Sequence, residues 1–312
     1  MNYFFLAASA CPGEVDLGFV QLGWFKVMIL GIVQGITELL PISSTAHMRV
    51  VPALLGWQDP GTAFSAAMQL ASLVAVISYF WQDIKGLTGG TVRAIANKIK
   101  GLTGGTVRAI ANKNYQSESF RLVLGLLLGT LPIIVAGVLV KPILNACHSP
   151  LRSLVVIGLA CIVMSILLAL AEKQGKHNRD FDKLTLRDGI WVGIAQAFAL
   201  IPGVSRSGST LTAGIFLRME RQTAARFSFL LGLPAVLLAG AVELHALFKA
   251  GLDSNGWLIL LIGLTSASIS AFLAIYGLLH YLENRSSWIF VWYRFALGVF
   301  LLIGVGMGFL QN

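Results

Sequence analysis

Residues 34 to 47, QGITELLPISSTAH, set an amide, a carboxylate, three consecutive hydroxyls and an imidazole into an otherwise apolar stretch. Gln34 and Glu38 are four positions apart and so share one helix face. A carboxylate inside an apolar segment almost always faces a cavity or a partner, which makes Glu38 a functional candidate; its structural alternative is pairing with a buried arginine. Gln34 alone would more simply bond a neighbouring helix. Past Pro41, Ser43, Ser44 and Thr45 stand where a new helix would begin. Their hydroxyls and the free backbone N–H groups make an anion site, or else they serve as N-caps. His47, within reach of the same pocket, can act as nucleophile or general base.

A second stretch, residues 196 to 210, QAFALIPGVSRSGST, has the same rhythm and supplies the cation that the first lacks. Arg206 stands between Ser205 and Ser207, with Gly203 and Gly208 letting backbone approach closely and Thr210 adding a further hydroxyl. A guanidinium suits phosphate oxygens bidentately and would neutralise charge building on a phosphoryl group. Carboxylate, hydroxyls, imidazole and guanidinium together point to phosphoryl transfer on a membrane-borne substrate.

These groups must be positioned by helices in a membrane. The 312 residues are 56% hydrophobic and 12% charged, about half the charge of an ordinary soluble domain. Several apolar runs approach the roughly 20 residues that span a bilayer. Segments such as 153 to 171 and 296 to 310 have no polar face, which excludes a soluble helical protein. The opening MNYFFLAASAC has no positive n-region, so no cleaved signal is expected. Cys11, Cys147 and Cys161 are too widely spaced for a disulfide framework or a metal site.

A first helix is expected over 22–40, ending at Pro41, followed by a short segment at 43–56 that dips in and returns. Spanning helices are expected at 61–82, 119–140, 151–172, 225–248, 257–280 and 289–310, with a second interrupted pair at 187–201 and 205–217, broken at Pro202 and Gly203. The fold class is thus an all-α polytopic membrane protein, one integral domain over 1–312.

Two repeats are present. IKGLTGGTVRAIANK at 84–98 recurs unchanged at 99–113, as an insertion would. Its six basic residues account for much of the net charge of +9, and such a loop fits the cytoplasmic side, against membrane lipids and not nucleic acid, or else is simply a solvated, flexible loop. The deeper repeat aligns Gly31 with Gly193, Gln34 with Gln196 and, after one gap, Pro41 with Pro202. AFSAAMQLASLVAVI and RFSFLLGLPAVLLAG then follow each proline at similar spacing. Broken helices at matching places in two halves, about 22–140 and 151–310, are the sign of an inverted repeat with its site where the breaks meet.

The pair QGITELLPISSTAH and PGVSRSGST, with FSFLLGLP at 227–234 and WYRF at 292–295, resembles the bacterial undecaprenyl-diphosphate phosphatase family of the BacA or UppP type. The likeness runs from about residue 22 across nearly the whole chain, apart from the duplicated loop. It implies hydrolysis of the terminal phosphate of undecaprenyl diphosphate, a polyprenyl lipid substrate, to recycle the carrier of cell-wall synthesis, with bacitracin resistance when overproduced. It further implies a bacterial plasma membrane fold of six spanning helices and two re-entrant pairs, an active site open to the outer, periplasmic face, and a divalent cation, Mg²⁺ or Ca²⁺.

On this chain the family's catalytic positions fall on Glu38, Ser44, His47 and Arg206, with Ser43, Thr45, Ser205, Ser207, Gly208 and Thr210 as phosphate-binding candidates. Glu38 would hold the cation or orient the imidazole. Gln34 stands where the family often has Glu, and Ala46 where it often has Gly; a neutral amide is a poorer ligand for a hard cation than a carboxylate. The attacking group is His47 or Ser44, with the imidazole placed first. A lipid transporter or flippase is the alternative from another class, since inverted repeats also build carriers. Glu243 and His245 are candidates for ion coupling, but their place near a helix end reads first as an interfacial pair, and Arg294 is likewise expected at the interface, where its side chain can snorkel. Assembly as a homodimer is left open.

Because one copy of the fifteen-residue repeat reads as an insertion, deleting residues 99–113 should leave the protein folded and active; loss of activity in detergent would show that the loop takes part.

Overall fold

Pro41 and Pro202 interrupt two helices in mid-course, and the remaining helices pack around those two breaks. The computed structural model describes residues 17–86, 88–89, 118–144 and 149–310. Beyond residues 84–86 and 88–89 the duplicated stretch lies outside the described residues, as do Cys11 and Cys147. The helices are α1 (Gly18–Leu39), α2 (Ser44–Leu54), α3 (Thr62–Tyr79), α4 (Glu118–Leu144), α5 (Leu154–Gln174), α6 (Leu186–Ala197), α7 (Arg206–Phe216), α8 (Arg221–Lys249), α9 (Ser254–Asn284) and α10 (Trp288–Gly306). No β-strand occurs among the described residues. The protein is an all-α polytopic membrane protein.

Six of these helices, α1, α4, α5, α8, α9 and α10, are long and apolar enough to cross a bilayer. Length alone misleads for α1. It is kinked at Gly23, whose φ is 75°, and it ends at Pro41 inside the protein. There Gly35 lies against Ala267, Ser270 and Ala271, well short of the end of α9. Helix α2 turns back, so that Trp57 comes under the Lys26 ammonium near the start of α1. The shorter α3 makes the crossing instead, ending near Asp83, which pairs with Arg226 of α8 at 2.9 Å. The second dip enters and leaves on that same face: Arg179 binds Asp188 at the start of α6, and its backbone bridges Met219 just after α7. The crossing set is therefore α3, α4, α5, α8, α9 and α10, near the spans expected from hydropathy.

The packing repeats as the sequence does. Helix α1 lies along α9 as α6 lies along α4, α3 meets α8, and α5 meets α10. This correspondence places Leu154–Gln174 with the first five helices and Leu186 onward with the second five. Small residues allow the close crossings, since lipid supplies no hydrophobic drive between helices and backbone proximity must hold them. A Cβ added to Gly193 would stand 2.6 Å from the Gly129 Cα. The outer surface is apolar: Val138, Leu139 and Leu273 are largely exposed and would face lipid tails.

Substitution should follow these contacts. Gly193→Ala forces α6 off α4 and should lower stability by about 1–3 kcal/mol. Gly277→Ala, with open space around it, should raise it by up to about 1 kcal/mol through helix propensity. Thermal unfolding in detergent separates the two.

Candidate active site

Both breaks build the same turn. Ser43 and Ser205 occupy the left-handed region, with φ of 74° and 68°. This conformation costs a non-glycine residue of order 1–3 kcal/mol and persists only where the surroundings enforce it. Each caps the helix it starts: the Ser43 hydroxyl accepts from Ala46 N at 3.4 Å and the Ser205 hydroxyl from Gly208 N at 3.1 Å. The first helical residue after the cap is Ser44 in one half and Arg206 in the other. The two tips meet, bringing the second half's cation to the first half's carboxylate.

Glu38 is the hub. Its Oε1 accepts from Arg206 Nη2 at 3.0 Å, and its Oε2 accepts from Ser44 Oγ at 2.6 Å and from Gln34 Nε2 at 3.0 Å. The carboxylate is buried and the guanidinium nearly so, with side chains 6% and 12% exposed. In such surroundings the pair holds strongly while the desolvation of each ion is offset by its partner and the added hydrogen bonds. Ser44 remains half-buried and Thr45 exposed, so the pocket opens on the α2 side.

The other hydroxyls expected to bind phosphate hold the tips together. Ser207 Oγ donates to the carbonyls of Glu38 and Leu40 at 3.1 and 3.0 Å, stitching one tip to the other. Thr210 is fully buried, donates to the Arg206 carbonyl at 2.7 Å and meets Ser228. Ser43 and Ser205 are committed as caps. The repeat matches Gln34 to Gln196, but Gln196 is buried with neither amide atom hydrogen-bonded.

One residue corrects the reading of the sequence. Arg294 does not snorkel: it is fully buried. Its Nη1 donates to the Pro41 carbonyl at 3.2 Å and its Nη2 to the carbonyls of Gly203 and Val204 at 3.0 and 2.8 Å. It therefore ties the backbone of both breaks, where proline and irregular geometry leave carbonyls without helical partners. Gly208 leaves room for it. The signal was in the sequence, as an arginine within an apolar spanning segment, and the rule applied to Glu38 holds here too. Glu38, Arg206 and Arg294 leave the centre with one positive charge in surplus, which favours an anionic substrate.

His47 is held at both nitrogens. Nδ1 lies 2.8 Å from the Ser43 carbonyl and must carry the proton, because a carbonyl only accepts. Nε2 is then the acceptor for the Tyr293 hydroxyl at 2.6 Å. Tyr293 sits beside Arg294 in WYRF, and sequence reasoning assigned it no role.

For a divalent cation the donor set is sparse. Among the described residues no three His, Cys, Asp or Glu side chains gather as a metal site. Glu38, with the amide carbonyl of Gln34, suits an ion that takes its other ligands from phosphate oxygens and water, as Mg²⁺ does.

Known proteins resemble this chain over most of its length. Residues 27–300 match the family model described as bacitracin resistance protein BacA. The chain is 57% identical over 277 residues to undecaprenyl-diphosphatase 2 of Mesorhizobium japonicum, covering 89% of this chain and 99% of that protein. It is 50% identical over 305 residues to the undecaprenyl-diphosphatase of Trichormus variabilis, covering 97% and 91%. It is also 50% identical over 292 residues to that of Gloeobacter violaceus, covering 94% and 95%.

Replacing Arg294 by Met should strip the breaks of three hydrogen bonds and cost at least about 2 kcal/mol. Arg294→Lys should recover only part, because an ammonium cannot span carbonyls on both tips. The unfolding midpoint in detergent is the readout.

Proposed function

The chain belongs to the BacA family and removes a phosphate from undecaprenyl diphosphate, and from that premise we propose that Ser44 is the attacking group, with Glu38 as its base and Arg206 as the charge clamp. The observation that carries this reading is the 2.6 Å hydrogen bond from Ser44 Oγ to Glu38 Oε2, with Arg206 on the other oxygen of the same carboxylate. Ser44 Oγ would attack the terminal phosphorus while its proton passes to Glu38 Oε2. The bond to the bridging oxygen breaks, and undecaprenyl phosphate leaves as an anion that needs no proton. Arg206 would turn its free donors to the equatorial oxygens, where charge is greatest in a loose transition state. Water then cleaves the phosphoserine, returning Ser44 and giving inorganic phosphate.

His47, with its ring fixed by Ser43 and its Nε2 covered by Tyr293, is less free to attack than Ser44. Its place is beside the reaction, as a base for the second step once the tyrosine yields. A divalent cation held by Glu38 and Gln34 would neutralise phosphate oxygens when bound.

The orientation follows from charge. Segments 173–187 and 217–226, on one face, hold eight Lys and Arg residues, against Lys26, Arg49, Lys141, Arg152 and Lys249 toward the opposite face. By the positive-inside rule the basic face is cytoplasmic. Residues 207–212, on that side of the breaks, are all buried, whereas Ser44 and Thr45 on the α2 side are open. This supports a site facing the outside of the bacterial inner membrane.

The test is phosphate release from undecaprenyl diphosphate labelled in its terminal phosphate, with and without EDTA. Ser44→Ala and Arg206→Ala should each lose at least about 10²–10³-fold in kcat, and Arg206→Lys should keep a remnant because bidentate geometry is gone. His47→Ala should lose less than Ser44→Ala. An acid-stable phosphoenzyme at Ser44 supports the reading, an acid-labile one at His47 would reverse it, and EDTA inhibition would support the cation.

A further inference from the structure

Two features beside Arg206 have no part in the chemistry above. Gly232, in the middle of α8, is so close to the guanidinium that an added Cβ would overlap Nη1 and stand 2.8 Å from Cζ. Next to them is a cavity of about 10 Å³ whose lining includes Arg206, Gly232, Phe229, Val76 and Ser72, a volume suited to one water molecule. Ser72, on α3, is 2% exposed and its hydroxyl has no hydrogen-bond partner. An unpaired buried hydroxyl is costly, and a water-sized space with the Ser72 hydroxyl and the Arg206 guanidinium in an otherwise apolar wall is where such a group finds a bridging water.

We propose that Gly232 and Ser72 are positioning residues that form the rear wall of the Arg206 seat. The proposal rests on Arg206 being the charge clamp of the phosphatase. Arginine loses considerable rotamer freedom when ordered, and its planar head must be fixed at two edges to present a defined fork. Glu38 Oε1 holds the Nη2 edge. The Nη1 edge rests on the bare backbone of Gly232, and the Ser72 hydroxyl reaches it through one water in the cavity. Any side chain at 232 would push the head forward, toward Glu38 and the space for phosphate. This gives the glycine in FSFLLGLP a physical reason, and it joins α3 of the first half to a cation delivered by the second.

The test measures kcat, KM and the unfolding midpoint for Gly232→Ala and Ser72→Ala, each alone and in the Arg206→Lys background. Gly232→Ala should lower kcat about 100-fold, the scale of a misplacement near 1 Å, with KM and the unfolding midpoint little changed. Ser72→Ala should lower kcat several-fold. Neither should reduce the residual turnover of Arg206→Lys, because residues acting through one group are not additive. Wild-type kcat in Gly232→Ala, or the same fold-loss in both backgrounds, would overturn the proposal. If Gly232→Ala fails to fold, Ser72→Ala decides by the same comparison, since it removes one atom and adds no bulk. Full turnover in Arg206→Lys alone would instead remove the clamp role itself, so the two failures are distinguishable.

Discussion

A carboxylate from one half and a guanidinium from the other meet at 3.0 Å in the interior of a membrane protein, where each offsets the cost of burying the other. Removing one ion of a buried pair leaves the other uncompensated, a penalty of roughly 3–5 kcal/mol. That constraint holds two broken helices tip to tip. It also keeps the carboxylate between the serine hydroxyl and the guanidinium, so the contact that joins the halves is the one on which the proposed mechanism rests.

The two halves use one turn for different chemistry. Each break ends in a serine of positive φ that caps an eleven-residue helix. At the first position of that helix one half carries a hydroxyl and the other a cation, so the pseudo-symmetric meeting of identical turns yields an asymmetric site. Non-helical backbone at this depth survives because protein surrounds it. Arg294 and Ser207 donate to carbonyls that the broken helices leave without helical partners. Polar residues committed in this way give the rigidity that a preorganised electrostatic site requires.

This division of labour explains why several hydroxyls of both motifs are unavailable to substrate. Ser43, Ser205, Ser207 and Thr210 cap or stitch the two tips, while Ser44, bonded to Glu38, and Thr45 lie on the open α2 side. Under the proposed mechanism phosphate recognition falls mainly to one guanidinium, which lies against Gly232 of the helix behind it.

The sequence by itself determined the membrane class, the two breaks, their relation by repeat and the expectation that Glu38, Ser44 and Arg206 come together. Each of these rests on local physics: apolar length, proline's missing donor, and the cost of charge in a low-dielectric medium. Tertiary structure alone decided which hydroxyls are free, because a cap and a ligand use the same residue types and differ only in what lies across from them. It also decided that Arg294 turns inward, since an arginine near a helix end can reach water or neighbouring carbonyls, and the packing of both tips against α10 closes the first route. The need for glycine at 232 was equally invisible, because it arises from a guanidinium placed there by a helix more than twenty residues earlier in the chain.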